Sequence, residues 1–200
     1  KPFRINNIPE NTLMIDQGGG STEVTLFNKN TIKTTHSIDL GTTILTNILL
    51  SQNNPDTSIN AALIYTDKTT KGELSNYFKK YAPDVNSNTL CLGVGTAITK
   101  GTGESTNRNQ HGYRFTQSSL VKRIYFYEDL LKKRYKNIEA LNQGILNQEK
   151  IIGSLDARNI LSIRLGLPLY LSILKHLEIE EITVNSTGLW YGIYFDNLFK

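Results

Sequence analysis

The residues best suited to chemistry stand together near the start of the chain, as Asp16-Gln17-Gly18-Gly19-Gly20-Ser21-Thr22-Glu23 between two strand-like segments. Three consecutive glycines between strands are costly unless the backbone needs a positive φ or a close approach. Such a turn can direct several N–H groups at one anion, and its hydroxyls add further donors. The plainer interpretation is a glycine-rich hairpin with two solvated acids. We expect phosphate to be bound by Gly18, Gly19, Gly20, Ser21 and Thr22.

Two acids flank this stretch. Asp16 ends the first strand, so its carboxylate can face the same cleft as the glycines, and Glu23 opens the next strand. A carboxylate beside bound phosphate indicates a divalent cation that offsets their repulsion. We therefore expect Asp16 and Glu23 to hold Mg²⁺ or Mn²⁺. No Gly-Lys-Ser/Thr follows the glycines, which excludes a Walker-type loop.

Two weaker glycine-marked segments occur later, Gly93-Val94-Gly95-Thr96-Ala97 and Asn185-Ser186-Thr187-Gly188-Leu189. Each follows a strand-like run, and ligands gather at such strand ends in mixed α/β folds. An ordinary strand-to-helix turn accounts equally well for the first of them. Three such strand ends on one chain favour a common phosphate cleft, and Gly95 and Thr96 join the expected phosphate contacts.

The elements that must position these residues follow from periodicity and turn signals. Residues 13–38 read as an antiparallel β-meander of three strands. We expect the later elements as follows: helix from 44 to about 53, strand or helix 59–64, helix 73–81, strand 90–92, loop 99–112, helix from a Ser118 or Ser119 cap, weaker helix 138–152, helix 156–177, strand 182–184 and a final helix from 188.

Length and composition bound the function class. The chain has 200 residues, a net charge of +4 and a single cysteine, Cys91. One cysteine excludes an internal disulfide and any multi-cysteine metal site, and fits a reducing, cytoplasmic setting. Apolar runs are too short to span a membrane. The mild positive charge suits anionic ligands without requiring nucleic acid.

The first motif resembles the second phosphate motif of the exopolyphosphatase / guanosine pentaphosphate phosphohydrolase (Ppx/GppA) family, within the actin/Hsp70/sugar-kinase superfamily. Ser37-Ile38-Asp39-Leu40-Gly41 resembles the Ser-x-x-Leu-Gly that follows this motif in the family, and residues 93–97 resemble its glycine-rich turn. Gly153 and Arg158, with Gly166, resemble a family helix motif, and residues 185–192 resemble the closing segment. The resemblance implies an actin-like (ribonuclease H-like) α/β domain over 1–200, with a β-rich part, 1–117, and a mainly helical part, 118–200.

The resemblance further implies hydrolysis of a terminal phosphoanhydride of polyphosphate or guanosine pentaphosphate, with Asp16 and Glu23 as catalytic acids that place Mg²⁺. It covers the second half of a short family member. The catalytic base is therefore expected on an N-terminal half that would be a partner domain, and the isolated chain is expected to turn over little. A homodimer is also expected.

Two departures from the family pattern stand out. Gln17 replaces an aliphatic residue, and Trp190-Tyr191 replaces a common Arg-Glu pair. The alternatives left open are a non-catalytic sensor of (p)ppGpp or polyphosphate and an ATP-binding, kinase-like module of the same superfamily.

Overall fold

A mixed six-stranded sheet organises the computed structural model, which describes residues 9–29, 31–51, 65–73, 85, 89–101, 111–136, 138–153 and 155–186. The strands in chain order are β1 (Asn11–Gln17), β2 (Thr22–Asn28), β3 (Thr31–Ile38), β4 (Leu90–Val94), β5 (Arg114–Thr116), β6 (Lys150–Ile152), β7 (Leu155–Asp156) and β8 (Glu181–Val184). The sheet order is β3-β2-β1-β4-β8-β5, and β6 pairs with β7 separately. Strands β1, β4 and β8 are mutually parallel, whereas β2, β3 and β5 run antiparallel to their neighbours.

The helices are α1 (Thr42–Ser51), α2 (residues 65–73), α3 (Thr96–Gly101), α4 (Gln117–Arg134), α5 (Ile138–Leu146) and α6 (Ala157–His176). Helix α6 packs against α1, α3 and α4, and most of its residues between Ile160 and Leu174 are buried. A helix that is apolar on nearly all sides belongs inside a domain. It therefore forms the centre of the helical layer. Within the described part of the chain, none of the helices is long and apolar enough to cross a bilayer.

Side-chain alternation along β1 decides which residues reach the core. Leu13 and Ile15 are buried and lie opposite Leu26 and Val24 of β2. Gln17 continues this face, where its Nε2 donates to the Gly166 carbonyl of α6 at 3.2 Å. Because successive residues of a strand point to opposite faces, Asp16 lies on the face turned away from α6.

A buried ion pair joins the two longest helices of the described residues, α4 and α6. Arg164 Nε on α6 donates to Glu128 Oε2 on α4, and both side chains are almost fully buried. Lys132 Nζ lies 3.0 Å from Glu128 Oε1, one helical turn along α4. Burying one charge without its partner would be costly, so the pair favours one alignment of α4 on α6.

The predicted β-meander is confirmed, as are the strand at 90–92, the long helix at 156–177 and the strand at 182–184. Three expectations were wrong in detail, and three short strands were not expected. Residues 99–101 belong to α3 rather than a loop, and Thr116 is the N-cap of α4, accepting from Ser119 N at 3.2 Å. Helix α5 ends at Leu146, and β5, β6 and β7 were missed. Residues 59–64, 74–81 and those from 188 onward lie outside the described residues.

The start of α4 and the end of α5 show why the expected bounds of these two helices were wrong. Thr116 is extended, with φ near −78°, and its hydroxyl oxygen reaches forward to accept from Ser119 N in the first turn, which is the geometry an N-cap needs. After α5, Gln148 takes a left-handed φ of 51°, and Glu149 N donates to Gly144 O at 2.9 Å. This turn closes the helix and directs the chain into β6.

Candidate functional site

Three parallel strands end at the same edge of the sheet. Strand β1 ends at Gln17, β4 at Val94 and β8 at Val184, and they are neighbours in the order β1-β4-β8. Asp16 lies in register with Val94, and Asn185 N donates to Gly93 O at 2.8 Å. The three strand ends therefore meet at one edge, with Thr187 and Gly188 outside the described residues, and a common phosphate cleft at this edge stays a prediction.

The loop after β1 turns its carbonyl groups toward α1. Gly18 N donates to Ser21 O at 2.9 Å, which closes the turn. The carbonyls of Gly18 and Gly19 accept from Thr42 N at 3.1 Å and Thr43 N at 2.9 Å. Among the described residues, no acceptor receives the N–H of Gly19 or Gly20, and both glycines are exposed. Two adjacent N–H groups at an exposed turn can bind an anion.

Close packing, rather than a positive φ, accounts for glycine at position 19 of the loop and at position 41 beside it. None of Gly18, Gly19 and Gly20 has a positive φ. A Cβ on Gly19 would lie 2.9 Å from Thr43 Oγ1, and one on Gly41 would lie 2.3 Å from the Gly19 carbonyl. A Cβ on Gly20 would meet nothing within 4 Å, so this position borders open space.

Asp16 and Glu23 stand directly opposite each other on β1 and β2 and share one face of the sheet. Burial first, and the Glu23 charge second, raise the pKa of Asp16 above its usual value. Glu23 Oε1 accepts hydrogen bonds from Ser21 Oγ at 2.6 Å and Ser37 Oγ at 3.0 Å. Glu23 therefore holds the loop in place, and the Ser21 hydroxyl donates its hydrogen to Glu23.

This pair of acids suits one kind of metal. No cluster of three or more His, Cys, Asp or Glu residues within the described ranges could hold an ion. Mg²⁺ in phosphate-handling sites is usually bound by one or two carboxylates, with waters and phosphate oxygens completing its shell. Two neighbouring carboxylates that repel each other fit that chemistry, because a cation between them would relieve the repulsion.

The other predicted phosphate contacts, Thr22, Gly95 and Thr96, lie in three different surroundings. Thr22 is fully buried and its Oγ1 donates to Leu40 O at 2.8 Å, so its hydroxyl serves the fold. Gly95 has a φ of +113°, and a Cβ there would lie 2.2 Å from Gln17 O. Thr96 is exposed at the start of α3. Glycine at position 95 lets the chain after β4 pass close to the end of β1. Phosphate contacts by Gly95, Thr96 and Thr22 stay predictions.

Tyr170 is a residue of this edge that the sequence did not single out. Its hydroxyl donates to Val94 O, and the side chain is fully buried. Burial, with the nearby Asp16 carboxylate, raises the pKa of Tyr170 well above its usual value. The hydroxyl thus remains a donor and ties α6 to the end of β4. Nothing in an apolar helical run distinguishes such a tyrosine from its neighbours.

Comparison with known proteins agrees with this architecture. Three solved structures are similar to the chain at 18% identity: the Aquifex aeolicus PPX-GPPA enzyme (TM-score 0.62), an exopolyphosphatase from Cytophaga hutchinsonii (0.65) and an exopolyphosphatase-like protein (0.66). The alignments cover 93%, 94% and 98% of this chain but 56%, 57% and 60% of those proteins, respectively. This chain thus spans little more than half of their length.

These structural similarities show that the chain shares the fold of these three proteins. No curated protein is a significant sequence match to the chain. The sequence model of the Ppx/GppA phosphatase family matches residues 5–200, which is nearly the whole sequence. The chain belongs to the Ppx/GppA phosphatase family.

Proposed function

We propose that this chain forms the phosphate-binding part of a phosphohydrolase that removes terminal phosphate from inorganic polyphosphate or guanosine pentaphosphate. The observation that carries the proposal is the loop of exposed Gly19 and Gly20, whose N–H groups no described acceptor receives, between the strands that carry the paired Asp16 and Glu23. Membership of the family supports hydrolase chemistry. One similar structure is named an exopolyphosphatase, which favours polyphosphate as the substrate to test first.

Each residue of the edge has a distinct task in this proposal. The N–H groups of Gly19 and Gly20 hold phosphate oxygens and stabilise the charge that develops on them, a task that fixed backbone donors perform without reorganising. Glu23 keeps the loop in place through Ser21. The Asp16 carboxylate would hold Mg²⁺ together with Glu23, and Mg²⁺ would supply neutralisation of phosphate charge and ordering of water.

This proposal commits Asp16 and Glu23 to the cation, so another group must activate the attacking water. We propose that the catalytic base comes from an N-terminal domain that completes the cleft. Phosphoryl transfer depends mostly on positioning and charge stabilisation. A half-site of this kind would bind phosphate but hydrolyse it slowly.

The proposal is tested by measuring phosphate release from polyphosphate with the chain alone and with the N-terminal part of the complete protein added. We expect slow release alone and at least a tenfold increase on addition, a typical contribution for a general base being about 10²–10⁴-fold. Gly20→Ala should weaken pyrophosphate binding with little loss of stability, because its Cβ enters open space at the loop.

The matched control is Gly72→Ala on α2, where a Cβ also meets nothing within 4 Å. Equal pyrophosphate affinity in the Gly20→Ala and Gly72→Ala variants would contradict the assignment of the loop. Binding without hydrolysis in the complete protein would instead favour a sensor.

A further inference from the structure

We infer that a groove between α2, α4 and α6 is a second ligand site, one that takes a small organic anion with an aromatic or aliphatic body. Its volume is about 690 Å³. Small-molecule sites in proteins usually measure roughly 300–1,000 Å³. This inference is independent of the proposed phosphohydrolase activity.

The floor of the groove is apolar. It is formed by Val121 and Ile124 of α4 and by Pro168 and Leu171 of α6. These residues recur three apart on each helix, so each pair lies on one helical face. Tyr125 lines the rim and is 47% exposed, which leaves its ring available to cover a ligand. Such a surface binds the carbon body of a ligand by removing it from water.

Three lysines surround the floor: Lys68 and Lys71 on α2, and Lys175 near the end of α6. None of them forms an ion pair with another residue in the described part of the chain. The lining also contains one acid, Asp67, which already accepts from Ser172 Oγ at 3.3 Å and lies 3.2 Å from His176 Nε2. The unmatched charge of the lining is positive, which selects an anionic group on the ligand.

The apolar floor and the positive charge together restrict the kind of ligand that fits the groove. Inorganic polyphosphate is charged throughout and would leave the apolar floor uncovered. An uncharged hydrophobic molecule would leave the lysines unmatched. A carboxylate, sulfonate or phosphate group attached to an apolar body satisfies both surfaces. The groove also lies apart from the sheet edge, since its lining includes neither Asp16 nor any residue of the glycine loop.

The probe for this site is anilinonaphthalene sulfonate, compared with uncharged N-phenylnaphthylamine, which has a similar aromatic body. We expect the sulfonate to bind more tightly. Replacing the groove lysines in the triple variant Lys68→Gln, Lys71→Gln, Lys175→Gln should weaken its binding about tenfold, since three exposed charge contacts of modest strength are removed. Binding of the uncharged probe should be unchanged.

The charge-matched control is the triple variant Lys122→Gln, Lys133→Gln, Lys136→Gln, which alters exposed lysines outside the groove and should keep wild-type affinity. Thermal unfolding verifies that both triple variants fold, and Tyr125→Ala tests the rim independently of charge. Equal sulfonate affinity in the two triple variants, or equal affinity for the two probes, would overturn the inference. Asp16→Asn should leave probe binding intact, so that failure of this site and failure of the phosphate loop are distinguishable.

Discussion

Asp16 shows at the scale of a single residue how the proposed metal site costs stability. Its carboxylate is partly buried beside Glu23, and both conditions raise its pKa. Ionising it therefore disfavours the folded chain. A fold selected for stability alone would not place two acids opposite each other on neighbouring strands. The arrangement is understandable if a cation normally compensates for it.

Replacing Asp16 by Asn should stabilise the metal-free chain at neutral pH. The folded-state pKa lies above the unfolded one, so the folded state binds this proton more tightly and loses stability as the pH rises through the folded pKa. We expect the melting temperature to rise by about 1–3 °C at pH 7. The gain should disappear below the ordinary carboxyl pKa of 3.8, where Asp16 is protonated in both states.

Calorimetry over a pH series measures this difference. Asp39→Asn is the control, because Asp39 is exposed in the turn after β3, and its melting temperature should follow that of the wild type. A gain that does not vary with pH, or a lower melting temperature for Asp16→Asn at pH 7, would show that the carboxylate is not destabilising.

The residue types of the candidate site are apparent in the sequence, but the directions of their side chains could not be predicted from it. A glycine run flanked by Asp, Ser and Glu indicates anion and metal chemistry by composition alone. The pairing of Gln17 with Thr22 places Thr22 on the core side of the sheet, and a shift of one residue in register would reverse that. Register depends on long-range packing, which local spacing does not contain.

At the scale of elements, the close approach of α6 to the end of β1 requires glycine at position 166. A Cβ on Gly166 would lie 2.3 Å from Gln17 Oε1 and 2.4 Å from Ala97 Cβ. Gly166→Ala should therefore destabilise the chain by about 1–3 kcal/mol, the usual cost of overpacking. In an exposed helix the same change stabilises by roughly 0.5–1 kcal/mol.

Urea unfolding of Gly166→Ala and Gly72→Ala measures the contrast, since both positions are helical but only Gly166 is crowded. The urea midpoint should fall in the first variant and rise or stay constant in the second. Equal midpoints would mean that α6 does not approach the strand ends as closely as Gly166 indicates.

Elements with strong local patterns were predictable and short ones were not. The meander follows from turn signals at the ends of β-forming runs, and α6 from a long apolar stretch. Strand β5 has only three residues, and its place beside β8 is fixed by tertiary pairing. Helix α3 has six residues, and its buried side chains, Ala97 and Ile98, gain their stability from packing rather than from helix propensity.

The topology of the whole molecule brings the proposed binding groups together, because parallel β1, β4 and β8 end at one edge. Magnesium and pyrophosphate should therefore stabilise the chain more together than either does alone. At a concentration 100 times the dissociation constant, a ligand adds about 2.7 kcal/mol. For a chain of this size we expect a rise in melting temperature of about 5–10 °C.

Asp16→Asn should lose most of this rise, measured against its own ligand-free melting temperature, whereas Gly72→Ala should keep it. If pyrophosphate without Mg²⁺ gave the full shift, or Asp16→Asn retained it, the two carboxylates would not hold a metal, and the loop would bind anions unaided.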